Sequence, residues 1–95
     1  MQDDSAPTDP DAYADWLKER VGVVARARRE ALGREAYGLA VQGKLSDQTI
    51  RNVETGKRGA TLTVLTHVSR QLQITVSELL AAAESWELRR PEASR

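Results

Sequence analysis

The chain has 95 residues, no cysteine, no phenylalanine and only four aromatic residues, with 14 acids balancing 14 Lys and Arg. That length supports one modest core, and Leu, Val, Ile and Ala must supply most of it, which suits a compact helical bundle. Disulfide and thiol chemistry are excluded, no apolar run approaches the roughly 20 residues of a membrane span, and the acidic N-terminus does not resemble a signal peptide. A cytoplasmic protein is expected, without membrane contact.

The zero net charge hides a segregated pattern. Residues 1–17 carry five acids and no bases, 18–58 carry ten bases against five acids, and 59–95 carry four of each. The blocks therefore sum to −5, +5 and 0. Binding to a polyanion depends on local potential rather than the total, so the middle block has the electrostatic footprint of a nucleic-acid binder.

Residues 1–9 read as an acidic, flexible arm and 91–95 as a tail; between them, 10–90 form one domain. Asp9 is placed to cap a helix with Pro10 at its first position. Tyr13, Trp16, Leu17, Val21, Val24 and Leu32 give that helix an apolar stripe, and Gly33 marks its end. A short helix is expected at Ala36 to Gln42. The next runs over about 46–55, with Ser46 as N-cap and Leu45 and Ile50 as a hydrophobic staple. Ile50 and Val53 should face inward, leaving Asp47, Gln48, Arg51, Asn52 and Thr55 on outward sectors. These side chains can read base edges, and Gly56 closes the helix just before Lys57 and Arg58, which can grip phosphate. Thr61 caps a fourth helix carrying Leu62, Leu65, Val68 and Leu72, which ends near Gln73. Thr75 and Glu78 then form a capping box, so a fifth helix should run from Val76 toward Arg90, before Pro91. The expected fold class is all-α: a compact five-helix bundle containing a helix-turn-helix, with extended first and last helices.

Over residues 21–80 the chain resembles the Cro/phage-repressor-type helix-turn-helix domain, the XRE family. The resemblance rests on Arg26 and Arg29, Leu32-Gly33, Leu39-Ala40, then Ser46, Thr49, Ile50, Val53, Glu54, Gly56 and Lys57-Arg58. It continues through Leu62, Leu65, Val68, Leu72, Ile74 and Leu79-Leu80. It implies a DNA-binding transcriptional regulator, in the repressor manner, whose helix at 46–55 enters the major groove of double-stranded DNA. It also implies a structural ion pair between Arg29 and Glu54, base-reading positions at Asp47, Gln48, Arg51 and Asn52, and phosphate contacts from Thr49, Lys57 and Arg58.

Three positions depart from the family pattern. Ala36 stands where a phosphate-touching Gln is usual, so Arg34 is the candidate to replace that contact. Gly43-Lys44 shifts the glycine of the turn by one place, leaving the Lys44 ammonium near the backbone of the DNA. Gly59-Ala60 replaces the usual Asn-Pro type of sequence after the recognition helix.

A single recognition helix covers too few base pairs to specify a site, so a homodimer on a pseudo-palindromic operator is expected, its helices about 34 Å apart. Trp16 and Trp86 lie outside the matched core and are the candidates for its interface, the alternative being a small satellite core within one chain. His67 stands alone without metal-ligand companions, so no metal or other cofactor is assigned, and no catalytic constellation appears. The protein is expected not to be an enzyme, and to associate with the nucleoid when DNA-bound. The alternative function is a protein-interaction module, such as an antitoxin-like partner-binding protein, that keeps the frame with weak or no DNA binding.

Overall fold

The computed structural model describes residues 6–36, 38, 45–56 and 61–85. Four helices lie among them: α1 (Pro10–Ala31), α2 (Asp47–Thr55), α3 (Leu62–Gln71) and α4 (Val76–Glu84), with no strand among the described residues. The helix expected at Ala36 to Gln42 falls mostly outside the described residues, as does the turn at Gly43-Lys44. Only Ala36 and Gly38 of it are described, both helical. The count of five is therefore four described helices.

Local chemistry starts every helix. Asp9 accepts a bond from the Ala12 amide at 3.0 Å, Ser46 from Thr49 at 3.0 Å and Thr61 from Val64 at 3.2 Å. At α4 the capping box is complete, since Thr75 Oγ1 accepts from the Glu78 amide at 3.0 Å and Glu78 Oε1 from the Thr75 amide at 2.8 Å. Each bond satisfies an amide that the helix itself leaves unpaired, a contribution of about 1 kcal/mol per cap.

Two helices end in the same crossed pair of backbone bonds around a left-handed residue. After α1, Gly33 (φ 69°) donates to Glu30 O and Arg34 donates to Arg29 O. After α3, Gln73 (φ 64°) donates to Arg70 O and Ile74 donates to Ser69 O. Both are Schellman motifs, one built on glycine and the other on a residue that adopts this conformation at a cost. The last helix closes earlier than expected: α4 ends at Glu84, short of Arg90. Ser85 turns out of it, its hydroxyl and amide both donating to the Ala81 carbonyl. A serine hydroxyl competing for that carbonyl favours a terminus over another turn.

The core is aliphatic, as the composition demands. Val21 and Ala25 of α1 meet Ile50 and Val53 of α2, Leu65, Val68 and Leu72 of α3 with its cap, and Leu79 and Ala83 of α4. The long α1 is the spine, packing on α2 and α4, while α3 packs on α4. Leu62, although on the apolar repeat of α3, is 70 % exposed because it sits in the first turn, ahead of the core.

The α1–α2 crossing is unusually close because of two glycines. A Cβ on Gly22 would lie 2.5 Å from the Val53 carbonyl oxygen and 2.6 Å from that of Glu54. Gly56 closes α2 with φ 70°, and a Cβ there would meet the Glu19 Cα at 3.0 Å. The backbones of α1 and α2 thus touch, which leaves α2 little freedom to rotate.

Candidate nucleic-acid interface

Packing alone decides which face of α2 is presented. Ile50 and Val53 are 1 % and 2 % exposed beneath the helix, so Gln48, Arg51 and Thr55 point outward and Asp47, Thr49 and Asn52 flank them. The outward groups are joined along the helix at a spacing of four. Arg51 Nη2 lies 2.9 Å from Asp47 Oδ2, and Gln48 Nε2 donates to Asn52 Oδ1 at 3.0 Å. Thr49 is tied to the cap, its hydroxyl 2.7 Å from that of Ser46. Thr55 turns its hydroxyl back onto the Arg51 carbonyl at 2.8 Å.

One side of α2 is anchored electrostatically. Arg29 Nε donates to Glu54 Oε2 at 2.7 Å and Arg29 Nη2 to Glu54 Oε1 at 3.1 Å, a two-pronged pair whose side chains are 13 % and 10 % exposed. Arg29 Nη1 also donates to the Arg34 carbonyl at 2.9 Å, tying α2 to the exit of α1. The hydrogen bonds to Glu54 raise the Arg29 pKa above its ordinary value, outweighing the opposing effect of burial, so the guanidinium stays charged.

The arginines of the basic block have structural work that composition does not reveal. Arg34 donates to the Gln71 carbonyl at 2.7 Å and Arg28 to the Leu72 carbonyl at 3.0 Å, so both cover the carbonyl end of α3. Arg20 does the same for α4, reaching the Ala83 carbonyl at 2.7 Å while its guanidinium lies 4.5 Å over the Trp16 ring. Cations at helix C-termini satisfy unpaired carbonyls and meet the negative end of the dipole. Lys18 pairs with Asp15 at 3.6 Å and Arg26 with Glu30 at 3.1 Å. Each described cation of residues 18–58 thus has a partner within the chain, and the +5 sum does not measure a free positive surface. Arg34 in particular is held at Gln71, by its carbonyl at 2.7 Å.

Lys44, Lys57, Arg58 and Trp86 lie outside the described residues. Trp16 is half-buried in its own chain, 5.2 Å from the Tyr13 ring and beneath Arg20, while the Tyr13 hydroxyl donates to Glu84 Oε2 of α4. Those contacts give it an intrachain role. Gly22, Arg20 and Arg28 were not singled out by the sequence pattern. For Arg20 a signal existed, since Trp16 and Arg20 are four apart on one helix face.

Among the described residues no cluster of His, Cys, Asp or Glu has the makings of a metal site, and His67 is exposed on α3. No described helix is long and apolar enough to cross a membrane.

Among the described residues the architecture is all-helical, with α2 packed on α1 by its apolar side and polar on its outer face. No family model matches the chain, and no curated protein does. Among solved structures, the crystal structure of the clp gene regulator ClgR from C. glutamicum is similar, with a TM-score of 0.68 and 23 % identity. The match covers 78 % of this chain and 96 % of that one. At that identity the likeness establishes a shared fold.

Proposed function

We propose that this chain is a sequence-specific DNA-binding transcriptional regulator that inserts α2 into the major groove and acts by repression. The observation that carries the reading is the division of α2 into a locked underside and a polar outer face. Ile50, Val53 and the Arg29–Glu54 pair fix the helix, while Gln48, Arg51 and Asn52 are presented outward. Gln and Asn match the donor and acceptor of adenine, and Arg matches the two acceptors of guanine. A fold shared with a gene regulator supports the same reading.

In this reading Thr49, Lys44, Lys57 and Arg58 contact phosphates, and Arg34 serves the α3 terminus. The functional unit is a homodimer on a pseudo-palindromic operator, since one short helix reads only about four or five base pairs and two-fold dimers space their helices by about 34 Å. A second reading, a partner-binding module with weak or no DNA binding, draws support from the internal pairing of the described cations of the basic block.

Selection of bound sequences from random duplexes, followed by a salt titration on the winner, separates the two. A DNA reader yields an enriched motif, and log affinity falls by about 0.9 per phosphate contact for each log unit of salt. Absence of any motif favours the partner-binding module.

A further inference from the structure

The two side-chain pairs on the outer face of α2 divide the work of recognition in a way that single residues do not. Arg51 Nη2 lies 2.9 Å from Asp47 Oδ2, an ion pair that keeps the guanidinium beside the carboxylate. The guanidinium carries five N–H groups, so with Nη2 against Asp47 it still has a parallel donor pair to turn toward a base. That pair complements O6 and N7 of guanine. In the neighbouring pair, the bond from Gln48 Nε2 to Asn52 Oδ1 leaves an acceptor, Gln48 Oε1, on one side chain and a donor, Asn52 Nδ2, on the other. An acceptor beside a donor complements the N6 amino group and N7 of adenine.

We propose that the four residues act as two coupled dyads, Asp47–Arg51 selecting guanine and Gln48–Asn52 selecting adenine, with Asp47 a positioning residue that never touches a base. The proposal rests on the DNA-reading function above and assigns its specificity. A bare carboxylate on this face would be repelled by phosphate, and the Arg51 contact offsets that repulsion while restricting the guanidinium. The Asp47–Arg51 side chains are 37 % and 66 % exposed, and an exposed pair of this kind contributes little to stability. Its value lies in orientation when DNA displaces the surrounding water.

The test is selection from random duplexes with the full chain and its Asp47→Ala, Asp47→Asn, Arg51→Ala and Asp47→Ala/Arg51→Ala variants, each first checked for an unchanged thermal unfolding midpoint. Arg51→Ala is expected to lower discrimination at one guanine roughly 10-fold or more, the range of a two-pronged contact. Asp47→Ala relaxes that same base pair, Asp47→Asn relaxes it less, and the double variant is no worse than Arg51→Ala. Asn52→Ala and Gln48→Ala relax one shared adenine. Asp47→Ala relaxing a different base pair, above all a cytosine, or adding to Arg51→Ala, overturns the dyads while leaving DNA reading intact. A wild-type selection without any motif overturns the functional reading and the dyads together.

Discussion

Gly22 of α1 lies directly against the Val53 carbonyl of α2, so close that a Cβ on Gly22 would stand 2.5 Å from the oxygen. No side chain can yield there, because the obstacle is backbone. The contact sets the distance between the spine of the domain and its presented helix, and both helices are further pinned where Gly56 meets Glu19.

Gly22→Ala should therefore destabilise the domain despite the better helix propensity of alanine. The propensity gain is at most about 1 kcal/mol, whereas overpacking in a tight interface costs roughly 1 to 3 kcal/mol. A net loss of about 1 to 2 kcal/mol lowers the unfolding midpoint by roughly 5 to 15 °C in a domain of this size. Circular dichroism melts check this, with the exposed neighbour Val23→Ala as a control that shifts little.

The Arg29–Glu54 pair is part-buried, so removing one partner leaves the other charge incompletely solvated. Glu54→Ala should cost roughly 2 to 4 kcal/mol, below the top of the range for a fully buried pair. Replacing both partners with apolar residues, Arg29→Met with Glu54→Leu, should recover much of that loss. A urea-unfolding cycle on the two single variants and the double measures it, and strictly additive losses would show that the pair is not coupled.

Gln73 occupies a left-handed conformation that glycine adopts without strain, at φ 64° and outside the α2 face. Gln73→Gly should stabilise the domain by about 0.5 to 1 kcal/mol, since relief of the 1 to 2 kcal/mol left-handed penalty exceeds the added entropy of the unfolded chain. A rise of a few degrees in the thermal midpoint is the expected outcome.

Arg28 and Arg34 share the carbonyl end of α3. Arg28→Ala and Arg34→Ala should each lower stability by about 1 to 2 kcal/mol, the consequence of leaving a part-buried carbonyl without its donor. Neither should change the slope of log affinity against log salt. A slope reduced by about 0.9 in either variant would identify a phosphate contact instead.

These residues show where sequence reading stops. Asp9, Ser46, Thr61 and Thr75 were legible as caps because a cap is bonded to an amide only three residues away. The inward set Ile50, Val53, Leu65, Val68 and Leu72 was legible from helical spacing. Gly22 was not, because its meaning depends on a helix some 30 positions further along the chain. The arginines were legible as charge but not as caps, since Arg20, Arg28 and Arg34 reach carbonyls from 37 to 63 positions away. The Asp47–Arg51 contact is one that helical spacing could have revealed, since the two residues are four apart on α2. The length of the last helix was misjudged because Pro91 is an evident stop and Ser85 a weaker one.

In the proposed function, the outer face of α2 is the surface that meets DNA. Amide chemical-shift mapping of the labelled chain, titrated with its selected duplex, tests it most directly. Shifts concentrated on residues 46–56, which disappear with a scrambled duplex of equal length, are the predicted result. Shifts centred on Tyr13, Trp16 and α4, or unaltered by scrambling the sequence, would contradict it.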